Sequence, residues 1–116
     1  MENKAELEIK SLDKNFKNGL LRIMILKIIE RKEMHAYAIY KEIQSNKKVI
    51  INVSKNDIYN SIASMEKLNM IVSKLSNKNQ KVLVLTKKGK DVTVKFRTIM
   101  KRHMLSLKKL MVEFNE

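Results

Sequence analysis

The chain has 116 residues, enough for one domain and too few for two independent cores. Lys and Arg number 25 against 12 acids, and the net charge of +13 points to an anionic partner, either nucleic acid or an anionic membrane face. With no cysteine, two histidines, two glycines and no proline, the composition excludes disulfides, thiolate metal sites and Gly-rich phosphate loops, and it disfavours a histidine zinc site.

Hydrophobic residues make up 44%, so a packed core is expected rather than a disordered polycation. No apolar run approaches the roughly 18 residues of a transmembrane helix. The opening MENKAELEIK mixes both charge signs and lacks an apolar segment, so no signal peptide and a cytoplasmic location are expected. Residues 1–17 balance four lysines against four acids, so the whole surplus lies beyond them. No block of five consecutive like charges occurs, which places the charge on folded elements rather than on a tail.

Taken in order, Ala5 to Phe16 has helix-compatible apolar spacing through Leu12. Asn18-Gly19 predicts a break, with Asn18 capping the next helix. Leu20 to Arg31 is apolar on most of its circumference, which predicts a central buried helix. Ala36, Ile39, Tyr40 and Ile43 form an i, i+3, i+4, i+7 stripe, a short amphipathic helix, and His35 before it has a structural capping role. Lys47 to Val53 predicts a brief strand or an extended connection.

Ser54 opens the next helix, with Asp57 at the third helical position in a weak form of the capping box. Ile58, Ile62, Met65 and Asn69 fall on one face. Asn56, Asn60, Ala63, Ser64 and Lys67 fall on the other, which is polar, small and nearly free of acid. Met70 to Leu75 and Lys81 to Thr86 predict two strands joined by the polar turn SNKNQ. Thr86 caps a last helix running to Phe114, about 40 Å long at 1.5 Å per residue. Its apolar positions Phe96, Met100, Leu107, Leu110 and Phe114, with His103 inserted, are spaced 4, 3, 4, 3, 4, a heptad seam.

The resulting fold class is mainly α with a small β-hairpin, a winged helix-turn-helix followed by a long helix. We divide it into an N-terminal helix over 1–17, a DNA-binding unit over 18–86 and a dimerisation helix over 87–116. Helix 55–68 would enter the major groove of double-stranded DNA, and the 70–86 wing would lie on backbone or minor groove. Lys55, Lys67, Lys74, Lys78 and Lys81 supply cations for phosphates. Asn56 and Asn60 can bond adenine bidentately, and Ser64 can contact several bases.

At these residues the sequence resembles the PadR-like transcriptional regulators. LLRIMILKIIERKEMHAYAIYKEI is similar to the family's first two helices, including His35, Tyr37 and Ile39. SKNDIYNSIASMEKLNMI resembles its recognition helix, and LVLTKKGKDV the strand that turns into the last helix through Gly89. The family usually has Gly where Ala36, Asn56 and Asn69 stand and Pro where Asn60 stands. The resemblance implies that Tyr59 bonds a backbone phosphate and that subunits pair through the C-terminal helix.

A homodimer is expected independently, because reading two half-sites needs two-fold symmetry and the seam Phe96, Met100, His103, Leu107, Leu110 and Phe114 supplies a surface. The 1–17 helix would contact the partner subunit. Met100, Met104 and Met111 could line an adaptable pocket, but a small-molecule effector has no support beyond that. No cofactor or metal is expected. The alternative to a sequence-specific regulator, most simply a repressor, is an architectural protein that coats DNA with little preference. An enzyme is disfavoured, because Glu66 and Asp91 have no nucleophile or base partner. A membrane-binding last helix explains its seam less well than a partner helix does.

Overall fold

A computed structural model describes residues 3–46 and 52–115. Among these residues four helices and one antiparallel hairpin follow in the expected order. The helix α1 (Lys4–Arg31) starts at Asn3, whose side chain accepts the Glu6 N–H at 2.8 Å. It runs unbroken through Asn18 and Gly19, so neither the expected break nor the Asn18 cap occurs. A helical glycine costs only about 1 kcal/mol relative to alanine. Gly19 has no positive φ, and burial of Leu21, Met24, Ile25, Leu26, Ile28 and Ile29 in the next turns outweighs that cost.

The helix α2 (Ala36–Ser45) is capped as expected by His35, whose Nδ1 accepts the Ala38 N–H at 3.1 Å. Its stripe buries Ile39 and Ile43 against α1. The connection or strand expected at 47–53 falls largely on residues 47–51, outside the described residues.

The helix α3 (Lys55–Lys67) buries Ile58, Ile62 and Met65. Asn69 does not join that face: it is exposed and adopts φ 60° just past the helix end. There its N–H donates to the Glu66 carbonyl at 3.0 Å, and the Met70 N–H donates to the Met65 carbonyl at 3.0 Å. This left-handed stop suits glycine and, next best, asparagine, which reconciles Asn69 with the glycine usual in the resembled family.

The strands β1 (Ile71–Leu75) and β2 (Lys81–Leu85) pair antiparallel from Ile71↔Leu85 to Leu75↔Lys81. The first starts one residue later than expected, because Met70 closes α3, and the second ends one residue earlier, because Thr86 caps the last helix. Val82 and Leu83 are both buried in succession, so β2 is covered on both faces. A third backbone segment adds to it, the Leu83 N–H donating to the Met34 carbonyl at 3.0 Å.

The helix α4 (Lys87–Phe114) begins in a tight corner. The Thr86 hydroxyl accepts the Gly89 N–H at 3.0 Å and donates to the Asn69 carbonyl at 2.5 Å. A Cβ on Gly89 would lie 2.0 Å from the Met70 carbonyl oxygen, so only glycine fits. Arg97 ties α4 back to Glu30 of α1 at 2.8 Å. Beyond that ion pair α4 leaves the body, and its seam faces an open groove of about 920 Å³. Phe96, Met100, His103, Leu107 and Leu110 line one wall, and Phe16, Leu20 and Ile23 of α1 line the other. Phe114 lies outside the groove and is 79% exposed.

Candidate nucleic-acid interface

The proposed reading helix is fixed at its start by a complete capping box. The Asp57 N–H donates to Ser54 Oγ at 3.1 Å, and the Ser54 N–H donates to the Asp57 carboxylate at 2.9 Å. The Ser54 backbone N–H, then its hydroxyl, hold the Asp57 carboxyl below the usual carboxylate range against a smaller opposing effect of burial, and the charges of Lys17 and Lys14 add lesser help. The cap leaves the N–H groups of Lys55 and Asn56 at the helix end without an intrahelical acceptor.

Asn56, Asn60, Ala63 and Lys67 are exposed, as the outer face requires, and Ser64 is half-buried beside them. The Ser64 hydroxyl accepts from Arg22 Nη2 of α1 at 3.2 Å. Lys55 is engaged by aromatic rings, with its Nζ 5.1 Å from the Tyr37 ring centre and 5.5 Å from that of Tyr59. Lys41 stands 5.5 Å from Tyr37 as well, and Tyr37 meets Tyr40 at 6.0 Å. Tyr59 is half-buried against the core, its outer ring under Lys55. The start of α3 and the outer side of α2 therefore form one cation–aromatic cluster.

On the wing, residues 76–80 close by a Ser76 N–H bond to the Gln80 carbonyl at 2.7 Å, with Asn79 at φ 58°. The Ser76 hydroxyl accepts from the Lys78 and Gln80 N–H groups, both at 3.3 Å. Lys78 stands at the exposed turn and Lys81 at the exposed base of β2, neither in an ion pair among the described residues. Lys74 differs: its Nζ lies 2.7 Å from Glu33, so its charge is already partnered.

The match to a family model decides what this arrangement belongs to. Residues 25–95 match the transcriptional regulator PadR-like family. The chain belongs to that family. A PadR family regulator from Clostridium difficile has the same fold at TM-score 0.61 and 29% identity, over 83% of this chain and 98% of that one. A PadR-like regulator from Bacillus cereus reaches TM-score 0.68 at 24% identity, over 80% of this chain and 92% of that one. One from Eggerthella lenta reaches 0.70 at 18% identity, over 92% and 95%. No curated protein matches.

As a PadR-like protein the chain is a DNA-binding transcriptional regulator. The helices α2 and α3 bring Lys41 and Lys55 together at Tyr37, whereas the seam residues Phe96 to Leu110 of α4 line the groove against α1. Sequence reasoning missed Arg22, Lys41 and the part Tyr37 plays beside them. Spacing along α2 would have revealed Lys41, which is i+4 from Tyr37. No local signal links Arg22 to Ser64, which is 42 residues away. No described helix is long and apolar enough to cross a membrane.

Proposed function

We propose that this PadR-like protein is a homodimeric, sequence-specific repressor that acts by occupying its DNA site. The carrying observation is the outer face of α3: Asn56, Asn60 and Lys67 are exposed on an acid-poor stripe, and Lys78 and Lys81 are exposed on the wing that follows it. Asparagines present the paired donor and acceptor that adenine matches, and the lysines neutralise phosphates around them. Tyr59, Lys55 and Ser64 border that stripe, while Lys74, held by Glu33, contributes less charge than its neighbours.

The pairing surface is the groove between α1 and α4. Contiguous apolar surface of this kind rarely stays open to water. The seam of a second copy, Phe96 to Phe114, matches it in apolar chemistry, and the 4–16 stretch of α1 then embraces the partner. Met100 and Met104 line the groove and Met111 does not, so the groove is better explained by a partner helix than by an effector.

The test is titration of the protein against DNA from upstream of its own gene and against composition-matched random DNA, at several salt concentrations. A preference of about a thousandfold for the upstream DNA, relaxed by Asn60→Ala, supports a specific regulator. Equal, steeply salt-dependent binding to both, unaffected by Asn60→Ala, supports the architectural alternative instead.

A further inference from the structure

One cation near the reading helix comes from outside the helix-turn-helix pair. Arg22 interrupts α1 between buried Leu21 and buried Met24. It is exposed, and its guanidinium donates to Ser64 midway along α3. Ser64 shares a helical face with Asn60 and Lys67, four residues before it and three after. Arg22 forms no ion pair among the described residues. A guanidinium carries five donor hydrogens, and Ser64 occupies one of them.

The rest of that side of α1 is basic too. Lys14, Asn18 and Arg22 fall four residues apart on one face, and all are exposed. Asp57, at the start of α3, feels the charges of Lys17 and, more weakly, Lys14, whereas Arg22 meets Ser64 further along. The 14–22 stretch of α1 therefore runs beside α3 in the same direction. An α-helix with its side chains is about 10–12 Å across and the major groove is about 12 Å wide. A helix seated in the groove fills it, and a side chain reaching in from a helix alongside meets the sugar–phosphate wall rather than the base edges.

We propose that Arg22, held by Ser64, clamps a DNA phosphate on the groove wall beside the reading helix, with Lys14 extending the contact toward the start of α3. The inference rests on the DNA reading proposed above and adds α1 to the binding surface. The planar fork of an arginine suits it to grip a phosphate while remaining bonded to a hydroxyl, which a lysine does less well. Ser64 then acts as a positioning residue, its hydroxyl spent on Arg22 rather than on a base.

The test uses the full chain with Arg22→Gln and Ser64→Ala, titrated on the upstream and random fragments across a salt series. Arg22→Gln keeps a donor for Ser64 and removes the charge. It should weaken binding to both fragments alike, by about tenfold, and lower the salt slope by about one per bound protomer. Ser64→Ala should weaken binding a few-fold with the slope unchanged. An unaltered slope in Arg22→Gln would reduce the contact to a tie between α1 and α3 and overturn the proposal. So would a loss confined to the upstream fragment, since that marks a base contact. If the wild-type protein binds neither fragment, the DNA reading falls and this inference with it. If it binds and Arg22→Gln binds identically, only this inference falls. Should Arg22→Gln fail to fold, Lys14→Gln on the same face carries the same slope test.

Discussion

The two halves of α1 obey opposite rules. From Leu21 to Ile29 its apolar side chains are buried, and Ile25 is 0% exposed. From Leu7 to Phe16 they face outward, and Phe16 is 62% exposed. The helix α4 repeats the contrast: Gly89 is locked into the body, while Leu107, Leu110 and Phe114 stand clear of it. One set of apolar residues is satisfied by the chain itself. The other stays exposed in the single chain, and Phe16, Leu107 and Leu110 of that set line the groove between the two helices. Burial near the hairpin gives the reading unit its own core, and in the dimer proposed above the projecting halves of the two long helices are the surface that a second copy covers.

The sharpest way to break this comparison is a charge in the groove. Leu107→Asp leaves the core untouched, because Leu107 is 43% exposed in the single chain. Pairing would bury two unpartnered carboxylates, so the dimer dissociation constant should rise by about a thousandfold. Sedimentation equilibrium reads this directly, and DNA affinity should fall in parallel. Unchanged assembly would show that the groove is not the pairing surface.

The two glycines sharpen the same contrast. Gly89→Ala forces a Cβ to 2.0 Å from the Met70 oxygen, which is already bonded to the Thr86 N–H at 3.0 Å. We expect a loss of about 3 kcal/mol in urea unfolding, at the upper end of overpacking costs. Gly19→Ala meets nothing within 4 Å. Measured in the Leu107→Asp background, where the groove stays open, it should gain about 0.5–1 kcal/mol.

Smaller still is the cap of the reading helix. Ser54→Ala should cost about 1 kcal/mol. The Asp57 carboxyl is held below its unfolded value near 3.9. Its stabilising contribution is therefore complete above that value and lost as pH falls through the lower folded one. Urea unfolding between pH 2 and 6 should show that acid limb in the wild type and a flatter one in Ser54→Ala.

Much of this was legible beforehand because its causes are local. The stripe of α2, the Ser54–Asp57 box and the polar 76–80 turn each lie within a few residues of one another. The continuity of α1 was not legible. Asn18-Gly19 reads as a turn until the burial beyond it is known, and burial depends on α2, α3 and β2 being in place. Asn69 looked like a core position by spacing, but the helix ends two residues earlier, at Lys67. At the candidate interface the sequence picked out a face of α3 and wing lysines that the structure leaves exposed. It could not show that Lys74 belongs to Glu33 or that Arg22 reaches Ser64, since those pairs join distant segments.

Hydroxyl-radical footprinting on the best-bound upstream fragment tests the central claim most directly. A dimer closed through the groove presents two α3 helices related by a two-fold axis. It should protect two matching half-sites of a palindrome, with centres about one helical turn, roughly 34–36 Å, or a multiple of a turn apart. A single protected block, or even protection along the whole fragment, would contradict the account.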